Sequence, residues 1–295
     1  MTDNASLLLV TASLLAMLSL GSATSLAGSM LAGLGTFVRQ LNVWLMAPAL
    51  FRALIQESAA KPANSGKAWR TPTRLLGAMA ALSPLLVLAV LFRAWGGLVP
   101  PQWNQQAFKV SLSGEAYLLS VVAVFGAFYF GLDSLRTWAA RAPRGGLAMA
   151  AAAGLAIALV SPTSLSYPDG RWGGYLWSLV AWLPVFAGRS LLFLLLAPVG
   201  LAMAVALWRE LRTSMPTWRA DLWSISFVAW ASTFLVNRQV FHRYFEPTTL
   251  IFFILAFGLG KRAALGNPGR LRLATCCALQ VLGTMGTAFL RTFGS

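Results

Sequence analysis

Carboxylates are scarce in this chain of 295 residues: Asp and Glu together number eight against 23 Lys and Arg, and there is one histidine. Chemistry that relies on clusters of acidic or imidazole groups has few positions on which to rest. Cysteine is scarce too. The only two, Cys276 and Cys277, are adjacent within an apolar segment, a spacing that supports neither a disulfide framework nor a zinc site. They read as packing residues. Charged residues of both signs make up 11% of the chain, whereas apolar residues make up 58% and mean hydropathy is +0.69. A soluble core cannot hide that much apolar surface, so the composition specifies a polytopic membrane protein. Lys and Arg are also missing from the whole region ahead of Arg39. The apolar stretch Ala5–Leu20 therefore lacks the basic flank of a secretory signal and reads as a membrane segment.

Long apolar runs are what the sequence has in quantity. After Ala5–Leu20 they cover Thr24–Val38, Leu41–Ile55, Leu75–Phe92, Gly114–Gly131, Leu147–Ser161, Trp177–Leu207, Leu222–Val236, Thr248–Gly260 and Leu273–Leu290. Each approaches the ~20 residues that a bilayer asks of a helix. The fold expected is all-α, a polytopic transmembrane bundle of about nine or ten helices forming one membrane domain over residues 1–295. Two places are irregular. The short segments on either side of Arg39 read as one broken helix, and Trp177–Leu207, which contains Pro184, Arg189 and Pro198, reads as a span with an interfacial start.

The net charge of +15 would suggest nucleic acid in a soluble protein, but here the basic residues fall in short loops between apolar runs, where they set orientation. No nucleic-acid partner is expected. One alternating set of loops carries Arg52, Lys61, Lys67, Arg70, Arg74, Arg136, Arg141, Arg144, Arg209, Arg212, Arg219, Lys261, Arg262, Arg270 and Arg272, fifteen in all. The other carries seven, Arg39, Arg93, Lys109, Arg171, Arg238, Arg243 and Arg291, with Arg189 left inside a run. By the positive-inside rule the richer set is cytoplasmic. Arg39, the 93–112 loop, the 162–176 loop and the 237–247 segment then share the exoplasmic face.

The exoplasmic loops differ in composition from the cytoplasmic ones. Ser58–Thr73 mixes Ala, Lys, Pro, Asn, Ser and Gly as a solvated linker does. Trp95–Pro101, Tyr167–Gly174 and Asn237–Pro247 instead combine glycine, proline and aromatics with isolated charges. The last holds Arg238, His242, Arg243 and Glu246, and the partner that suits two guanidiniums and an imidazole at a membrane boundary is a phosphate. Each residue also has a plainer role. Arg238 and Arg243 suit snorkelling anchors, and Arg39 suits a helix cap. The tryptophans suit an interfacial belt. Among the carboxylates, Glu57, Asp133, Glu210 and Asp221 fall on the cytoplasmic side, and Glu115 opens a span. Asp169 and Glu246 remain as exoplasmic candidates for acid–base work, although Asp169 lies in a Pro-Asp-Gly turn and Glu246 stands ready to pair with Arg238 or Arg243. Arg189 reads as a boundary residue. The spacing of Gly28 with Ala32 and of Ser29 with Gly33 reads as close helix packing.

The segment Val38-Arg-Gln-Leu-Asn-Val-Trp44 resembles the Arg-Gln-Thr-Asn-Ile motif of the α-1,2-glucosyltransferase family that completes the dolichol-linked oligosaccharide. Asn237-Arg-Gln-Val-Phe-His-Arg-Tyr244 is similar to that family's Asp-Asn-Arg-His-Tyr motif, and Trp95-Gly-Gly-Leu-Val-Pro-Pro101 resembles its tryptophan-glycine-glycine turn. The ordered set spans residues 24–260 and points to the wider GT-C superfamily of membrane glycosyltransferases. The resemblance implies transfer of a sugar from a polyprenyl-phosphate carrier to an exoplasmic acceptor, in an integral protein of the bacterial inner (plasma) membrane. It implies that Arg238, Arg243, His242 and Arg39 bind the lipid phosphate, with Gln40, Asn237, Tyr244, Arg171 and Trp95 in support and Asp169 or Glu246 as the catalytic carboxylate. The residues specify no certain cofactor, and a divalent metal is compatible with the same chemistry.

One departure stands out. GT-C enzymes carry an acidic residue in their first exoplasmic loop, whereas the region before Arg39 holds one carboxylate, Asp3, and no long loop. The chain is thus expected to correspond to the C-terminal part of such a transferase, with a second chain supplying the N-terminal helices or with the base moved elsewhere. Two other classes stay open: a non-catalytic subunit that holds the lipid-linked sugar, and a polyprenyl-lipid transporter or flippase.

Overall fold

At Arg39 the backbone leaves the helix for an extended conformation (φ −151°, ψ 116°), and this break organises the first third of the chain. The computed structural model describes residues 2–19, 21–55, 72–97, 112–160, 175–235 and 242–259. Helices α1 (Thr2–Leu18) and α2 (Ser22–Val38) precede the break. A 3-10 segment, Gln40–Leu45, and α3 (Met46–Ile55) follow it. The two short apolar runs around Arg39 are therefore one interrupted helical path, as their sequence suggests.

Helices α4 (Pro72–Ala81) and α5 (Ser83–Trp95) meet at an angle of 41°. Pro84 in the first turn of α5 explains the bend, since its ring disfavours helical backbone at the residue before it. Gly96, in the left-handed region at φ 68°, stops α5. Helix α6 (Ser113–Arg141) is interrupted at Gly131 (φ 72°, ψ 153°), where the sequence places the end of a span. Helix α7 (Arg144–Val160) turns by 118° from the last part of α6. The chain continues through α8 (Tyr175–Trp182), an antiparallel pair β1 (Val185–Phe186) and β2 (Arg189–Ser190), and α9 (Leu191–Ser214). It ends, within the described residues, with α10 (Thr217–Ser232), a 3-10 turn Thr233–Leu235, and α11 (His242–Leu259).

The run Trp177–Leu207 divides into the short helix α8, a turn, and the long apolar helix α9, in keeping with a span that has a separate start. Pro184 follows the end of α8, and Ala187 and Gly188 both take positive φ (46° and 77°), which suits a tight hairpin turn between β1 and β2. Arg189 lies in β2 rather than in a helix, and its Nε donates to the Leu159 carbonyl at 2.8 Å.

Two units of contact divide the fold. The first comprises Met1–Glu115 with Pro216–Phe252, and the second Ala116–Met215 with Phe253–Ser295. In the first, α2 packs between α1 and α5 by means of its small residues. Ser13 Oγ donates to the Gly28 carbonyl at 2.7 Å, and Ser83 Oγ donates to the Ser29 carbonyl at 3.0 Å. A Cβ on Gly28 would lie 2.9 Å from Met17 Cγ, and one on Gly33 would lie 2.6 Å from Ser83 Oγ. The small-residue spacing is thus a packing device on two sides of one helix. In the second unit a Cβ on Gly154 would lie 2.6 Å from the Ala197 carbonyl, and one on Gly200 only 1.8 Å from that of Leu119. Backbone contact of this kind joins α9 to α7 and α6. Tyr117, Trp177 and Phe193 form its aromatic centre, with Tyr117 and Phe193 fully buried.

Among the described residues, Ser113–Gly131 and Leu191–Ser214 are long and apolar enough to cross a membrane. The bent pairs Leu75–Ala81 with Ser83–Trp95 and Leu135–Arg141 with Arg144–Val160 raise the number from two to four if each is one span. Asn4–Leu18, Ala23–Val38, Gln40–Ile55 and Phe245–Ala256 are shorter apolar helices. Outward-facing Leu8, Phe37, Leu75 and Leu86, each more than 60% exposed, give these helices an apolar exterior. The all-α expectation holds apart from the two-residue strands.

Candidate functional site

Asn42 fixes the geometry of the break. Its side-chain amide donates to Ser6 Oγ at 2.7 Å and to the Gly35 carbonyl at 2.9 Å, so it joins the start of α1 to the end of α2. Asn42 is buried, and burying an amide is favourable only when such bonds are made. The neighbouring Arg39 is held half-buried where helical hydrogen bonding has stopped. Asn42 belongs to the same short motif as Arg39 and Gln40, yet its role as the fastener of the break shows only in three dimensions.

An aromatic bed places α11 beneath this break. Trp223 Nε1 donates to the Phe252 carbonyl at 2.9 Å. The Phe252 ring meets Trp44 at 6.0 Å, Phe227 at 5.4 Å and Trp230 at 5.5 Å. Nearer the start of α11, Phe245 stacks on Phe234 with ring centroids 4.0 Å apart. Packing of this density sets the helix in one position.

Where these parts converge lies a cleft of about 470 Å³, the open space at its mouth included. Ser6, Arg39, Asn42, Trp230, Thr233 and Thr248 are among its walls. Arg39 comes from the first motif, and Thr248 follows the second motif along the chain. The structure brings Arg39 and the early part of α11 to one site although they are distant in sequence.

The other expected residues divide by position. Gln40 opens the 3-10 segment and is half-buried; Trp95 ends α5 and is half-buried, away from the cleft walls. His242, Arg243 and Tyr244 form the first turn of α11 by backbone. Asp169, Arg171, Asn237 and Arg238 lie outside the described residues, as do Cys276 and Cys277. Glu246 is half-buried on α11, two residues ahead of Thr248, with no hydrogen bond or ion pair among the described residues. Burial pushes its carboxyl up to about 7.

A second carboxylate was not favoured by the sequence reading. Glu115, in the first turn of α6, is 8% exposed, and neither oxygen finds a donor on another described residue. Its neighbour Gly114 packs closely on Phe234, a wall of the cleft: a Cβ there would lie 3.0 Å from Phe234 Cβ. Burying a carboxylate that has no donor from another side chain is costly. The signal available in sequence was its position just inside an apolar run. No group of three or more metal-ligating side chains occurs among the described residues.

No family model matches the chain, and neither the curated proteins nor the solved structures contain a match.

Proposed function

We propose that this chain belongs to a GT-C membrane glycosyltransferase that moves a sugar from a polyprenyl-phosphate carrier to an acceptor at the exoplasmic face of the membrane. The observation that supports the reading is the cleft that Arg39 of the first motif shares with Thr248, which lies on the same helix as His242–Tyr244 at the end of the second motif. In the reaction the bond between the sugar's anomeric carbon and the phosphate oxygen breaks, and its electron pair leaves with the phosphate. The acceptor oxygen bonds to that carbon and gives up its proton. Arg39, together with Arg238, His242 and Arg243, stabilises the departing phosphate. The proton goes to a carboxylate at this end of the unit, and both Glu246 and Glu115 qualify by their burial. A base that titrates near neutrality, as Glu246 does, suits the task.

The reading is tested with membranes supplied with polyprenyl-phosphate hexoses and pentoses. Arg39→Ala and Arg243→Ala are expected to weaken donor binding at least about tenfold, the loss of one charge-assisted hydrogen bond. Membrane insertion should be unchanged. Unaltered binding and transfer in both variants would sink the assignment. A second reading is favoured by the lack of a carboxylate among the described walls of the cleft. In it the chain holds the lipid phosphate while another chain supplies the base. Sugar transfer by the purified chain alone would exclude that reading.

A further inference from the structure

Between α8 and α9 the chain makes a corner that suits neither bulk water nor the bilayer interior. Residues 181–188 carry no charge, and every one of them is exposed. Trp182 is 87% exposed and Phe186 is 61% exposed, with Leu183 and Val185 beside them. The other face of α8 is covered. Leu176, Trp177 and Val180 are buried, and the Trp177 ring lies 5.0 Å from that of Tyr117 and 5.4 Å from that of Phe193. An apolar tip thus projects from a packed base.

Hydrogen bonds hold the tip in one shape. Val185 pairs with Ser190 and Phe186 with Arg189, and the Leu191 amide donates to the Pro184 carbonyl at 3.1 Å. Arg189 clamps the turn, since Nη1 donates to the Ala187 carbonyl while Nε holds the Leu159 carbonyl. Leu159 lies in the last turn of α7, and Leu191 is the first residue of α9. The hairpin therefore stands where both helices have one end. Helix α9 is long and apolar enough to cross a membrane, and α7 belongs to a bent pair that is so when taken as one span.

These facts fix the depth of the tip. Hydrocarbon does not accept irregular backbone, and strands of two residues pair few of its amides and carbonyls. Water does not favour a tryptophan and a phenylalanine exposed side by side. The layer that accepts apolar side chains on a wet backbone, with a cation at their base, is that of the lipid headgroups.

We infer that residues 181–188 form a wedge seated in the headgroup layer at the Leu159 end of α7, with Trp182 and Phe186 reaching toward the acyl chains. Lipid is the occupant of this surface because the tip is uncharged and continues the apolar exterior of α9, where Leu195 and Val199 are exposed. A wedge in this layer sets the depth at which α9 enters the bilayer. The inference rests on α7 and α9 as membrane segments and on no transfer reaction.

The test uses the full chain in nanodiscs of phosphatidylcholine and phosphatidylglycerol, with Cys276 and Cys277 replaced by serine. An environment-sensitive fluorophore is attached at Phe186→Cys or, in a second protein, at Val199→Cys, about 12 Å along α9 from its start. Quenching is compared between aqueous iodide, lipid with a nitroxide next to the headgroup, and lipid with a nitroxide at the chain end. The probe at position 186 should lose most emission to the headgroup-proximal nitroxide, less to the chain-end nitroxide and least to iodide. The probe at position 199 should reverse the order of the two lipids. Greatest loss to iodide or to the chain-end nitroxide at position 186 would overturn the wedge, and so would a probe that no quencher reaches, the result expected if a second copy or another protein covers the tip. Iodide quenching at 186 alone overturns the wedge and leaves α9 in the membrane; iodide quenching at both positions overturns the membrane reading with it. Should Phe186→Cys fail to fold, Trp182→Cys carries the same comparison.

Discussion

Asn42 is buried and has two hydrogen bonds to lose. Asn42→Ala is expected to destabilise the fold by ~1–3 kcal/mol, measured as a lower unfolding midpoint in detergent. Asn42→Asp should cost more, since it sets a charge against the Gly35 carbonyl. Glu246 gives a pH signature instead. Its carboxyl is raised in the folded state, so folding favours the protonated form. Relative stability is complete below the ordinary value of 4.5 and is lost as pH rises through about 7. Glu246→Gln should therefore match the native protein at pH 4.5 and exceed it at pH 8, checked by unfolding midpoints at both pH values. An equal midpoint at pH 8 would show that the carboxyl titrates normally. At this scale the sequence was partly legible. Arg39 stands out through the resemblance of Val38–Trp44 to a family motif, and it lines the cleft. Glu115 was set aside because sequence shows that a carboxylate opens a span but not whether a donor awaits it. Arg52 was counted as one more cytoplasmic charge, since only the folded chain reveals the carbonyls it reaches.

The helices depend on glycines in unequal ways. Gly200→Ala would drive a methyl against the Leu119 carbonyl, and backbone cannot yield as a side chain does. A loss of ~2–3 kcal/mol or failure to fold is expected. Gly145, in the first turn of α7, has nothing within 4 Å of a new Cβ. Gly145→Ala should leave the unfolding midpoint unchanged or raise stability by ~0.5–1 kcal/mol, because alanine loses less backbone entropy. Thermal unfolding of the two variants side by side checks the contrast. Helix ends were legible unevenly. Gly131 interrupts α6 where the apolar run ends, whereas α5 continues past the end of its run at Phe92 to Trp95, where Gly96 stops it. The hairpin at residues 185–190 was not legible, because Val185 and Phe186 are as apolar in a strand as in a helix. Hydropathy carries no record of backbone angle. The turn at Ala187 and Gly188 does carry one, but only Gly188 announces it in sequence.

For the whole molecule, the charge count makes a prediction about orientation. With Cys276 and Cys277 replaced by serine, a cysteine at Ala94 should react with an impermeant maleimide from the exoplasmic side of intact cells. A cysteine at Ala140 should react only after the membrane is opened. Both positions are exposed in the fold. The reverse pattern would invert the assignment of every loop, the cleft included. Arg52 also ties α3 to a distant turn. The carbonyls of Met17 and Ser19 that accept from its guanidinium lie at the connection between α1 and α2. Ser13 and Gly28 hold those two helices to each other, and Arg52 adds a third element to the pair. The acceptors of that turn thus stay paired only while α3 is docked, so loosening α3 loosens the first two helices with it.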